Sequence, residues 1–477
     1  MSENLLFTPV NIGPITLRNR TIRSAAFEDM CPGNSPSSQL RDYHLSVSSG
    51  GVGMTTVAYA AVTRSGLSFD KQLWLRPEIV VALRTLTDDI HATGAKASIQ
   101  LGHCGNMSHP STAGQIPISA STGFNLYSPT FVRGMSDSEI RQMAVEFGNA
   151  VRLAKDAGFD CVEIHAGHGY LISQFLSPYT NHRHDRWGGD LEHRMDFMRL
   201  CMNEVMRAAN GEIAVVVKTN MRDGFRGGND LPEGIRIAQE LESLGVDALV
   251  LSGGFVSRAP MYVMRGEMPI QTMTHYMDCW WLKYGVRYGG GKLMIKNEPY
   301  RDLYFLEDAL QVRKAVQLPL IYVGGCVSRS GIEHVLSSGF CAVQMARALV
   351  NEPDFVNRMA QGEERCGCDH VNYCIARMYS IDMKCHKHCT DLPPRILREI
   401  EEIKRRQEAS LACLKLTKNI NNTNVRLHSD VHISYPHDSS CHRSLERYRP
   451  RVFPPAGSHG AQYCTCQQPG RSPRTHV

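Results

Sequence analysis

From residue 20 to about residue 360 the chain alternates short apolar runs with longer amphipathic ones. The short runs are Thr21–Ser24, Val52–Ala58, Ala95–Leu101, Asp160–Ala166, Ile213–Thr219, Asp247–Leu251, Pro319–Val323 and Cys341–Ala346. They are rich in β-branched residues and almost continuously hydrophobic, as strands covered on both faces are. The longer runs predict helices over Arg76–Thr93, Ser136–Ala157, Asp190–Ala209, Leu231–Leu244, Tyr304–Val316 and Ser328–Ser338. Ser136-Asp-Ser-Glu139 has the spacing of a capping box, in which hydroxyl and carboxylate each satisfy an orphan backbone N–H. Ala92-Thr-Gly94, Ala157-Gly158 and Ser243-Leu-Gly245 supply glycine stops before the next strand.

Eight strand–helix alternations over some 340 residues predict an α/β fold, a (β/α)8 TIM barrel with loop insertions. A doubly wound sheet would need a glycine-rich loop after its first strand, and Ser24-Ala-Ala-Phe-Glu-Asp-Met has no glycine. The stretches Gly102–Phe131, Asn181–Arg194 and Gly253–Gly291 lack strand pattern and follow strand C-terminal ends, where barrels carry their substrate loops. The barrel is expected over residues 5–362. A Cys-rich segment and an amphipathic helix, Pro393–Gln407, follow over 363–410. Residues 411–477 lose all periodicity and are expected to form a disordered basic tail.

The charge is unevenly placed. Of 52 Lys/Arg and 47 Asp/Glu, nine and three respectively fall after residue 410, so the main body is nearly neutral. Nothing there favours nucleic acid, and no run approaches a membrane span. The N-terminus lacks the basic and apolar regions of a secretory signal. Sixteen scattered Cys without such a signal point to reduced thiols and a cytoplasmic protein. The loop insertions at the functional face of the barrel lead to the expectation of a small-molecule substrate.

The candidate chemistry lies at strand ends. His165, His168 and Tyr170, in Glu-Ile-His-Ala-Gly-His-Gly-Tyr, stand at the mouth of the fourth strand. Two imidazoles and a phenol there can hold a carbonyl oxygen and deliver a proton. Lys218 ends an apolar strand, where a buried cation demands an anion. Gly324-Gly325 ends the seventh strand and Ala346-Arg347 the eighth, the pair of positions where barrels commonly bind phosphate.

His-Ala-Gly-His-Gly-Tyr, then Leu-Ser-Pro-Tyr-Thr-Asn and Gly188-Gly189-Asp-Leu-Glu-His-Arg194, resemble the signature of the Old Yellow Enzyme family. These are FMN-dependent NAD(P)H:flavin oxidoreductases and ene-reductases, here most similar to the branch containing the barrel of 2,4-dienoyl-CoA reductase. The resemblance covers roughly residues 5–375. It implies an FMN-binding barrel that passes hydride from NADH or NADPH to an activated alkene. His165 and His168 would hold the acceptor's carbonyl oxygen, and Tyr170 would protonate its carbon. Ser24, Ala25, Ala26 and Phe27 would lie beside the ring with Tyr59 and Ala60. Gln100 would meet the pyrimidine, and Lys218 the N1/C2=O edge. Gly324, Gly325, Ala346 and Arg347 would hold the phosphate, and Ser252-Gly-Gly254 would line the ribityl side.

Departures accompany the match. Lys218 stands where the classical enzymes carry Arg, Phe27 where a polar or sulfur residue is usual, Ala346 for Gly and Trp187 for Tyr. Longer relatives hold a 4Fe–4S cluster through C-x2-C-x3-C and a distant Cys. Here Val371 takes the second position among Cys366, Cys368, Cys374, Cys385 and Cys389. Free thiols are expected rather than a cluster, or rather than zinc with His370, His386 or His388. The residues alone leave other readings: a demethylase or dehydrogenase of the same family, a Schiff-base lyase using Lys218, or a degenerate flavin-binding barrel. Tyr262, Trp280 and Trp281 would shape the acceptor pocket. A homo-oligomer is left open.

Overall fold

The computed structural model describes residues 5–277, 280–288, 295–378 and 380–409. The tail expected over 411–477, the end of the Gly253–Gly291 stretch and the side chain of Trp281 lie outside the described residues. Eight strands form the predicted barrel: β1 (Thr21–Arg23), β2 (Met54–Ala61), β3 (Lys96–Gly102), β4 (Cys161–Ala166), β5 (Ala214–Asn220), β6 (Ala248–Ser252), β7 (Leu320–Val323) and β8 (Ala342–Met345). They close in sequence order, each parallel to its neighbours.

Side chains alternate across each strand, so every second residue enters the barrel. The inward series begin apolar: Ile22, Met54, Cys161, Ala214, Val216, Ala248, Val250, Ile321 and Ala342. An antiparallel hairpin of Val10–Ile12 and Ile15–Leu17 plugs this end with Ile12, Ile15 and Leu17. Each such fully buried aliphatic contributes roughly 2 kcal/mol relative to exposure. The same series end polar, at Gln100, Glu163, His165, Lys218, Ser252 and Gln344, all buried. Hydrophobic closure at one end thus delivers a polar layer to the other.

The outward residues pack under α1 (Ser38–Ser49), α2 (Val80–Ala92), α3 (Asp137–Asp156), α4 (Asp196–Ala209), α5 (Leu231–Ser243), α6 (Leu306–Ala315) and α7 (Arg329–Ser337). Both bonds of the capping box at Ser136 and Glu139 are present. The helix predicted over Asp190–Ala209 is instead two pieces, Leu191–Arg194 and α4, joined at Met195. The pattern did not announce α1. Its buried set is only Leu40, His44, Val47 and Ser48, because a polar network lies beneath it. There Glu28 pairs with Arg23 at 2.7 Å and meets His44 at 3.3 Å, while His44 Nδ1 meets Thr55 Oγ1 at 2.8 Å.

The loop expected over Gly102–Phe131 carries a small sheet of Ile118–Ser119, Gly123–Asn125 and Thr130–Gly134. The stretch after β6 holds short helices Pro260–Met264, Ile270–His275 and Trp280–Tyr288. Residues 394–409 form the expected C-terminal helix. Its Ile396, Ile400 and Ile403 pack on Val371 and Tyr373. Glu399 accepts the Gln271 and Thr272 amides at 2.7 and 2.8 Å, and Arg406 pairs with Glu267 at 3.0 Å. The post-β6 insertion and the C-terminal helix are thereby fastened together. Among the described residues no helix is long and apolar enough to cross a membrane.

Candidate functional site

At the polar end of the barrel a cavity opens over Ser24, Ala25, Ala26, Phe27, Tyr59, Gln100, His165, His168, Tyr170 and Lys218, and continues to Ser252, Ala346 and Arg347. The candidates singled out at seven strand ends therefore converge on one space. Tyr170 lies face to face with His165, ring centres 4.3 Å apart, and edge-on to Tyr59 at 5.1 Å. His165 and His168 meet at 5.1 Å.

The turn after β4 builds this cluster. His168 and Gly169 both take left-handed conformations, φ 60° and 80°. A Cβ at Gly169 would lie 2.5 Å from the Phe255 ring, so only glycine fits. Asn220 at the end of β5 pins the turn: its Oδ1 accepts the His168 amide at 3.0 Å and its Nδ2 donates to Gly254 O at 2.8 Å. His168 Nε2 meets Ser252 Oγ at 2.7 Å, and His165 Nδ1 accepts the Gly167 amide at 3.4 Å.

Beneath the cluster lies a buried charged layer. Lys218 and Glu163 are 2% and 1% exposed, and Lys218 Nζ stands 2.8 Å from Glu163 Oε1. Gln100 Nε2 donates to the same oxygen at 2.7 Å, and Gln344 Nε2 donates to Glu163 Oε2 at 2.6 Å. Ser24 Oγ donates to Gln344 Oε1 at 2.9 Å and accepts from Lys218 at 3.3 Å. The anion demanded by Lys218 is thus supplied first by the protein.

Burial, with Lys218 adding its charge, pushes the His168 pKa down to about 3. Burial, His168 and Lys218 hold His165 well below the usual imidazole value. Both rings are neutral near pH 7 and can donate hydrogen bonds without carrying charge. The unfolded chain takes up these protons near pH 6.5. The stability they contribute is therefore full above that value and drains as pH falls toward 3. His168→Asn should flatten the fall in unfolding free energy between about pH 6.5 and 4, read from denaturant titrations across that range. An unchanged slope would mean that His168 is already charged in the folded protein.

The remaining predicted residues are less uniform in placement. Ala60 is buried within β2, while Tyr59 faces the cavity. Gly324 and Gly325 take φ 128° and 76° at the end of β7 and pack under Leu303 and Tyr304. Ala346 has φ −107°, so its methyl group meets no left-handed strain. Of the expected pocket aromatics, Tyr262 packs against Phe305 behind the wall, and Trp280 is 71% exposed at the surface. Phe69, Tyr127, Val256, Val263, Met264, Tyr304, Ile375 and Met378 line the cavity instead. Glu163, Gln344 and Asn220 were also missed. Glu163 was nonetheless detectable as the inward residue one pleat before His165.

Three of the five cysteines after the barrel find separate partners. Cys368 Sγ lies 3.6 Å from His370 Nδ1, Cys385 donates to Asn351 at 3.2 Å, and Cys389 lies 3.6 Å from the Tyr373 hydroxyl. Among the described residues no three His, Cys, Asp or Glu groups come together as metal ligands.

A cavity of this kind at the C-terminal mouth of a (β/α)8 barrel, polar at its floor and cationic at the β8 edge, defines a barrel enzyme for an anionic cofactor. Residues 5–279 match the profile of the NADH:flavin oxidoreductase / NADH oxidase family. The chain is 37% identical over 377 residues to the 4,4'-dithiodibutanoate disulfide reductase of Rhodococcus erythropolis, covering 79% of this chain and 93% of that one. It is 34% identical over 266 residues to the NADPH dehydrogenase of Bacillus subtilis, covering 55% and 77%. Its fold matches the structure of 2-naphthoyl-CoA reductase with a TM-score of 0.69 at 22% identity, over 84% of this chain and 58% of that one. The chain belongs to the NADH:flavin oxidoreductase / NADH oxidase family, and the resemblance drawn from the β4 signature is borne out.

It is accordingly an oxidoreductase that uses FMN and NADH or NADPH. The residues present fit FMN. Arg347 lines the cavity, and its Nη1 donates to Asn372 at 2.6 Å. Among the described residues no carboxylate stands within ion-pair distance of it, which suits a phosphate dianion.

Proposed function

We propose that the enzyme passes hydride from NADH or NADPH, by way of FMN, to a small activated alkene such as an enone. FMN, when bound, supplies the reversible two-electron carrier. His165 and His168 donate hydrogen bonds to the acceptor's carbonyl oxygen and polarise the conjugated bond. Tyr170 donates the proton to the carbon α to that carbonyl. Ser24, Ala25, Ala26, Phe27, Tyr59 and Ala60 hold the ring, Gln100 and Lys218 its polar edge, and Gly324, Gly325, Ala346 and Arg347 the phosphate. The observation that carries the reading is the Tyr170–His165–His168 cluster, with ring centres 4.3 and 5.1 Å apart directly above the Gln100–Lys218 floor.

A disulfide acceptor is the second reading, favoured by the 37% identity to a disulfide reductase that the chain spans almost entirely. There the same tyrosine would protonate the departing thiolate. The barrel assignment at residues 5–362, the Cys-rich segment at 363–410 and the tail at 411–477 belong to this proposal. So does a cytoplasmic setting, which the eleven free thiols among the described cysteines support.

Anaerobic NADH or NADPH should bleach the flavin absorbance of the purified protein, and an enone should restore it with loss of the alkene. Restoration by disulfides alone would establish the second reading. A protein that takes up no FMN would overturn both and direct attention to borohydride trapping at Lys218.

A further inference from the structure

We propose that Glu163 is a positioning residue of the flavin site: its carboxylate holds Lys218 in the charged state and orients the Gln100 amide without itself reaching the cavity. The inference rests on FMN occupying the cavity and is independent of the acceptor.

The geometry separates Glu163 from its neighbours. Gln100 and Lys218 line the cavity, whereas Glu163 lies one pleat below His165 and is 1% exposed. Gln100 on β3 and Glu163 on β4 are register partners, so their side chains leave the sheet side by side. Lys218 on β5 is the register partner of His165, one layer higher, and reaches down to the same oxygen. With its amide nitrogen committed to Glu163 at 2.7 Å, Gln100 keeps its carbonyl oxygen for another partner. That oxygen is the acceptor the N3–H of a flavin pyrimidine needs. The second oxygen of Glu163 is taken by Gln344, so the carboxylate cannot swing away from the pair.

The charges facing Lys218 are few. Arg23 on β1 is positive and matched by its own Glu28, while His165 on β4 and His168 in the turn after it are neutral. Ser24 offers only a hydroxyl. Among the described residues Glu163 is therefore the one anion in contact, and a buried lysine without one surrenders its proton, with pKa values as low as about 5–6. Burial already lowers Lys218, and Glu163 opposes that fall.

The consequence is countable. In the wild-type holoprotein Lys218 is charged before and after reduction, so two electrons bring one proton, taken by the flavin at N5. In Glu163→Gln, Lys218 is neutral while the flavin is oxidised. The negative charge arriving on the N1/C2=O edge then draws a second proton onto Nζ. The pH dependence of the flavin midpoint potential around pH 8, read against reference dyes of known potential, should correspond to one proton per two electrons for the wild type and two for Glu163→Gln. Glu163→Asp, which keeps the charge, should return to one. One proton in Glu163→Gln would overturn the proposal.

A second measurement needs neither FMN nor a folded Glu163→Gln. In the wild-type apoprotein the Lys218 Nζ resonance, assigned by its loss in Lys218→Met, should be that of a charged ammonium near pH 7. A neutral amine there would equally overturn the proposal. No acceptor enters either experiment, so failure to turn over an enone or a disulfide leaves both readable.

Discussion

Tyr170→Phe reduces its acceptor about a hundred- to ten-thousand-fold more slowly than the wild type while its flavin is reduced by NADH or NADPH at the normal rate. This is the expected result of stopped-flow measurement of the two half-reactions. The Tyr170 ring is set by His165 on one side and Tyr59 on the other. Phe keeps those ring contacts and the flavin's surroundings and removes only the hydroxyl. Hydride delivery to the flavin requires no proton from that hydroxyl, so the two half-reactions separate. Equal loss in both would remove Tyr170 from proton transfer and mark it as part of the cofactor's seat.

Arg347→Ala should weaken FMN binding by about a hundredfold or more, the usual effect of deleting one partner of a desolvated charge pair. Riboflavin, which lacks the phosphate, should bind the two proteins alike. Arg347→Lys should fall between them, since it restores the charge without the two-pronged geometry. Fluorescence titration of apoprotein gives all three values. Equal weakening of FMN and riboflavin would place the effect of Arg347 in the packing around Asn372 and Tyr300 rather than at a phosphate.

The barrel was legible because each strand reads as a short apolar run between turn residues. Strand ends were less so: β2 runs on to Ala61, since Tyr59, Ala60 and Ala61 remain buried beyond the expected stop at Ala58. Helix α1 escaped because a buried histidine and serine occupy positions that hydrophobic periodicity expects to be aliphatic. The site was read from motifs contiguous in sequence, such as His165 to Tyr170. Partnerships formed only by closure were not. Nothing local joins Glu163 to Lys218, 55 residues away, or to Gln344, 181 residues away. The expectation that Lys218 needed an anion was sound physics, and the barrel register decided that a carboxylate of the chain would meet it.

That register also bears on how reliably the barrel assembles. Gln100, Glu163, Lys218, Gln344 and Ser24 come from β3, β4, β5, β8 and the residue after β1, and their bonds exist only when those strands sit at the right height. A slip of one residue would turn a strand's inward set outward. A slip of two would keep the faces but strand a carboxylate or an ammonium alone in the interior, at a cost of several kcal/mol. Aliphatic side chains tolerate such errors, whereas a buried charge does not. The polar floor of the site is therefore also a proofreading layer for folding, admitting one closure of the barrel and penalising its near neighbours.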